Sequence, residues 1–153
     1  MKLLYQMSSV HQHARLHQLA DGRFQIVEGG ELAPLMFGFG YVLVEKDFAQ
    51  YLDDLYLDGV EIIDAIIYEP WEKQEIYTHR QLVIDRHFSS DMLRRVDRNS
   101  YPDVARDLEL DGERFFVMDY QYVFVSPSLK ERLETSPFTY LCFSEGLSGF
   151  VGG

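Results

Sequence analysis

What this chain lacks narrows its function before anything it contains is read. Its single cysteine, Cys142, has no partner for an intrachain disulfide and lies inside an apolar run, so a buried strand thiol in a reducing compartment is expected. No stretch approaches the roughly 20 apolar residues of a membrane span. Residues 1–7 carry one positive charge but no apolar core of signal-peptide length, which points to the cytoplasm. Basic residues are scarce: 14 Lys and Arg stand against 25 Asp and Glu, for a net charge of −11. A nucleic-acid groove needs an uncompensated basic stripe. Even the most arginine-rich stretch, residues 80–107, sets six arginines against five aspartates, as a salt-bridged surface does.

Recognisable catalytic chemistry is also missing. Gly38-x-Gly40 precedes its strand instead of joining a strand to a helix, so the dinucleotide fingerprint fails on context, and Gly146-x-x-Gly149 is followed by no phosphate-binding lysine. Asp53 and Asp54 are adjacent on a helix and point apart, which suits neither a metal pair nor a glycosidase. His11-x-His13 with His17 has metal-like spacing, but no Cys or carboxylate stands beside it to complete a tetrahedron, and a solvated polar segment is the expectation. His79, Asp85 and His87 form the one constellation with acid–base character. No serine or cysteine nucleophile pairs with them, and ion pairing on a mixed-charge surface accounts for them as well. No catalytic residue, metal ligand or cofactor is assigned.

What is present describes a scaffold. At 153 residues, 46% hydrophobic and 14% aromatic, the chain is expected to form one compact domain. The 11 Phe and 10 Tyr suffice for an aromatic core with aromatics left over for a surface. Tyr41-Val42-Leu43-Val44, followed by Phe48, Tyr51 and Leu52, returns as Tyr122-Val123-Phe124-Val125 followed by Leu129 and Leu133. Each apolar run stops at a capping residue, Asp47 in the first and Ser126 in the second, where Pro127 sits just inside the helix. Each helix-spaced stretch leads to a further apolar run, 62–67 or 140–143. The expected fold is α+β, with a mixed sheet built on two repeated strand–helix–strand units. Other strands are expected at 3–7, 24–27, 36–44 (with a bulge at Gly38 and Gly40), 60–68 and 76–84. A hairpin is expected where Asp111-Gly112 joins 108–110 to 115–118. Residues 11–19 read as a loop or a short helix, and 92–96 as a short helix or turn.

Charge is concentrated. Between Glu45 and Glu75 ten acids (Glu45, Asp47, Asp53, Asp54, Asp58, Glu61, Asp64, Glu69, Glu72 and Glu75) face only Lys46 and Lys73, a net −8. Such a field repels nucleic acid and speeds encounter with a basic partner, or serves only as a solvated face.

The run Tyr122 to Glu134, Tyr-Val-Phe-Val-Ser-Pro-Ser-Leu-Lys-Glu-Arg-Leu-Glu, with Phe138 and the aromatic run after it, resembles the immunity proteins of bacterial polymorphic toxin systems. The group it is similar to closes its domain with a VS-x-x-LK-x-x-LE helix and an aromatic strand. Residues 42–52 are similar to the strand–helix element those proteins carry upstream, and Leu93-Arg94-Arg95-Val96-Asp97 to the RRVD stretch between the two. The resemblance implies a small cytoplasmic protein, not an enzyme, that binds one cognate toxin or effector domain and occludes it, with a basic nuclease suiting the acidic balance. Asp53, Asp54, Asp58, Glu61, Glu69 and Glu72 are then the partner-binding carboxylates. Trp71 is the leading aromatic anchor, with Tyr56 beside it, because interfaces concentrate energy in Trp, Tyr and Arg. Trp71 reads equally as core packing at a strand end. The rival readings are a small hydrolase or transferase using His79, Asp85 and His87, and an adaptor subunit of a larger complex. Neither nucleic acid nor membrane is an expected partner, and the oligomeric state is left open.

Overall fold

A computed structural model describes residues 4–89 and 111–145. In chain order its elements are β1 (Tyr5–Ser9), β2 (Arg15–Gln18), β3 (Phe24–Glu28), β4 (Leu35–Gly38), β5 (Tyr41–Glu45), α1 (Lys46–Asp53), β6 (Val60–Asp64), β7 (Ile67–Glu69), β8 (Gln74–Ile76), β9 (His79–Ile84), β10 (His87–Phe88), β11 (Phe115–Met118), β12 (Tyr122–Val125), α2 (Pro127–Glu134) and β13 (Leu141–Glu145). Among the described residues the fold is mostly β with some helix, its strands arranged in three sheets. The expected features at 92–97 and 108–110 lie outside the described residues. No described helix is long and apolar enough to cross a membrane.

The chain packs as two units. The first comprises Met1–Val10, Leu57–Gly59 and Ile84–Gly153, and holds a five-stranded sheet in the order β10-β11-β12-β1-β13. β1 runs antiparallel to both β12 and β13. All four residues of β11 are buried, as are Val123, Phe124 and Val125 of β12, so these central strands are covered on both faces. Phe88 meets Phe124 at 5.6 Å between ring centroids. α2 buries Leu129 and Leu133, the pair at helical spacing.

The second unit comprises His11–Tyr56 and Val60–Val83. It holds two four-stranded sheets, β2-β3-β7-β8 and β4-β5-β9-β6. α1 packs on β5 through Phe48, Ala49 and Leu52. Leu16, Phe24, Ile26, Met36, Leu43 and Ile67 draw the two sheets onto one core.

Several local expectations change. Residues 11–19 contain strand β2, because Leu16 turns inward between exposed Arg15 and His17 and the segment pairs with β3. Residues 36–44 form a hairpin instead of one bulged strand: Gly38 pairs with Tyr41 across Phe39-Gly40, and Gly40 takes a φ of +86°. Residues 60–68 are two strands in different sheets, broken after Asp64. The expected residue caps α2 but not α1. The N-cap of α1 is Glu45, and Asp47 sits inside the first turn, accepting from the Phe48 N–H at 2.8 Å. Ser126 is the N-cap of α2, but its buried hydroxyl donates to the Gly112 carbonyl at 2.7 Å and accepts the Arg114 N–H at 2.9 Å. It thus ties the helix start to the segment entering β11.

Candidate partner-binding surface

The residues expected to meet a partner fall into four places. Trp71 and Glu72 lie on the four-residue turn joining β7 to β8, and Glu69 ends β7 just before it, paired with Gln74. Pro70 fixes its own backbone at the turn's entry, and Lys73 closes it with a φ of +54°. The Glu69 carboxylate organises what lies between, accepting the Trp71 N–H at 2.8 Å on one oxygen and the Glu72 N–H at 2.6 Å on the other. Charge-assisted bonds of this kind are among the stronger ones available to a turn. Trp71 is 68% exposed, so it is not a core residue.

The face behind this turn is held by Arg23, whose reach to Glu75, 52 residues away, no local sequence pattern signals. Its guanidinium stacks on the Tyr68 ring at 4.7 Å from the centroid, pairs with Asp21 at 2.9 Å and reaches Glu75 at 3.4 Å. The Tyr77 hydroxyl donates to Glu75 on the same hairpin, and that bond to a carboxylate pushes the phenol above its ordinary range. Tyr77 is itself exposed. Trp71, Tyr77 and Glu72 therefore stand on a short hairpin stiffened at both ends.

The C-terminal end of α1 carries the second group. Asp53 and Asp54 are exposed, and Asp54 accepts from the Gln50 side chain at 2.9 Å. Tyr56 follows in a left-handed conformation, φ +52°, with 92% of its surface exposed. Glu61 stands alone on β6, the edge strand of its sheet, with its side chain exposed.

Asp58 is differently placed. It belongs to the first unit, where the Arg86 guanidinium binds both its carbonyl and its carboxylate at 2.9 Å, and Arg114 approaches at 3.6 Å. The Arg86 hydrogen bond, then the charges of Arg86 and Arg114, hold its carboxyl below the usual range. This carboxylate is already partnered within the fold.

The acid–base constellation is not gathered. His79 is buried at the start of β9, with Nε2 donating to the Ala33 carbonyl at 2.8 Å and Nδ1 accepting the Thr78 hydroxyl at 2.8 Å. Burial lowers its pKa, against the opposing pull of the Ala33 carbonyl and the Glu45 charge. Asp85 and His87 are exposed beyond the other end of that strand, Asp85 near Arg86 and His87 against the Tyr120 ring at 5.2 Å. His13 is likewise engaged on both ring nitrogens, by the Ala14 carbonyl at 2.6 Å and the Phe37 N–H at 3.4 Å. Among the described residues no three His, Cys, Asp or Glu are grouped to hold a metal ion. Comparison with protein-family models, with curated proteins and with solved structures gave no match.

Proposed function

We propose that this protein is a cytoplasmic immunity protein that binds one cognate toxin, a basic nuclease suiting its charge best, and neutralises it by occlusion. The observation that carries the reading is Trp71, an exposed indole on a turn whose conformation is fixed by Glu69 before any partner arrives. A pre-organised aromatic loses little conformational freedom on binding, which is what an interface anchor needs. Glu72 beside it, and separately Asp53 and Asp54 at the end of α1, supply exposed negative charge that would guide a basic partner.

The same proposal includes an internal duplication. Supporting it, β5 and β6 flank α1 with β9 lying between them in their sheet, while β12 and β13 flank α2 with β1 between them in theirs.

Co-expression in bacteria with the product of the adjacent gene tests the function. Restored growth and a tight one-to-one complex are expected. Trp71→Ala is expected to weaken that complex by about 2 kcal/mol, roughly thirtyfold, with an unchanged melting midpoint. A neighbour that is harmless, or that stays toxic while this protein is folded and abundant, overturns the reading.

A further inference from the structure

At the β2 edge of the second unit lies a cleft of about 690 Å³, a volume suited to a small-molecule ligand. One wall is β2. Strand alternation leaves Arg15 and His17 exposed with Leu16 buried between them. The other wall is the β4–β5 hairpin, which contributes Phe37, Phe39 and Tyr41. His13 latches the two walls together through its contacts with Ala14 and Phe37, and its ring meets Phe37 edge-on at 6.3 Å. The floor is Tyr41, whose ring crosses Gly38 so closely that a Cβ there would stand 2.8 Å from the hydroxyl oxygen. Glycine is thus the residue that admits the ring.

Two properties mark this cleft off from the rest of an acidic molecule. No Asp or Glu lines it, and Arg15 makes no ion pair among the described residues, although Glu28 is its cross-strand neighbour. Phe39 is 75% exposed at the hairpin tip. The Arg15 guanidinium and the His17 imidazole on one wall and aromatic rings on the other match an anion carried on a flat ring.

We propose that this cleft binds a small aromatic anion, with Arg15 and His17 holding the phosphate or carboxylate and Phe37 and Phe39 flanking the ring. The site does not depend on the toxin-binding reading: the Trp71 turn joins β7 and β8 at the opposite edge of the same sheet.

Calorimetric titration of the full chain tests it, with AMP and benzoate as probes, adenosine as the ring without an anion and inorganic phosphate as the anion without a ring. AMP or benzoate is expected to bind saturably, at least about tenfold more tightly than either control. The tighter of the two identifies a nucleoside phosphate or an aryl carboxylate as the ligand class. Arg15→Gln and Phe39→Ala, both at exposed positions, are each expected to weaken binding about tenfold while leaving the melting midpoint in place. Absence of saturation by both probes in the millimolar range overturns the proposal. So do equal affinities for AMP and adenosine with no benzoate binding, or unaltered binding by Arg15→Gln.

Discussion

Tyr56 shows how a single residue can be costly to the fold and still be retained. Its left-handed backbone is a conformation that glycine adopts freely and an L-side chain does not, and with 92% of the residue exposed its ring recovers little through packing. Tyr56→Gly is therefore expected to stabilise the protein by about 1 kcal/mol, a rise of about 2–4 °C in melting midpoint. If Tyr56 contacts the toxin, the same variant binds it more weakly, and thermal melts with binding measurements on one preparation read both effects. His79 works in the opposite sense, as a titratable group held neutral inside. Its folded pKa lies below the ordinary value of about 6.5, so the unfolded chain takes up the proton first as pH falls. Its contribution is complete above about pH 6.5 and is lost as pH drops through that value towards the folded pKa. Denaturant melts between pH 7 and pH 5 are expected to show a shallower decline for His79→Gln, which keeps a donor for Ala33, than for the native chain.

At the scale of elements, the short connection after α1 behaves as a clasp. Asp58 receives Arg86 and Arg114, while Gly59, at φ +77°, leaves room where a Cβ would collide with Arg86 and Asp85. Gly59→Ala is expected to destabilise by about 1–2 kcal/mol through backbone strain. Asp58→Ala should lower the melting midpoint by less, because its ion pairs are exposed to water. Neither change should alter toxin association beyond the loss of folded protein. The sequence made the two helices legible because Phe48 with Leu52, and Leu129 with Leu133, repeat at helical spacing. It concealed the clasp because an aspartate in an acidic run gives no sign that arginines 28 and 56 residues later will claim it. It also concealed β2, where only Leu16 marks an inward face and pairing with β3 overrides a polar composition. Trp71 was legible as a candidate because it is the only tryptophan, but whether it faced core or solvent depended on Glu69 bonding forward into its own turn.

For the whole molecule, net charge and chain path matter most. With Asp58 engaged internally, the long-range field falls to unpaired surface carboxylates such as Asp53, Glu61 and Glu72. Reversing those three to Lys is expected to slow toxin association about tenfold at low salt and to flatten its salt dependence, as stopped-flow mixing would measure. Dissociation should change far less. The chain path has a different result. β1 lies between β12 and β13, pairing Tyr5 with Val125 and with Glu145, so it leaves the ribosome well before either strand it pairs with. At roughly 5–20 residues per second, that interval is on the order of ten seconds, during which both edges of β1 are open to wrong partners. Its composition suits the delay. Met7 alone is fully buried, between Gln6 and Ser8, so the waiting strand offers other nascent chains little apolar surface to join.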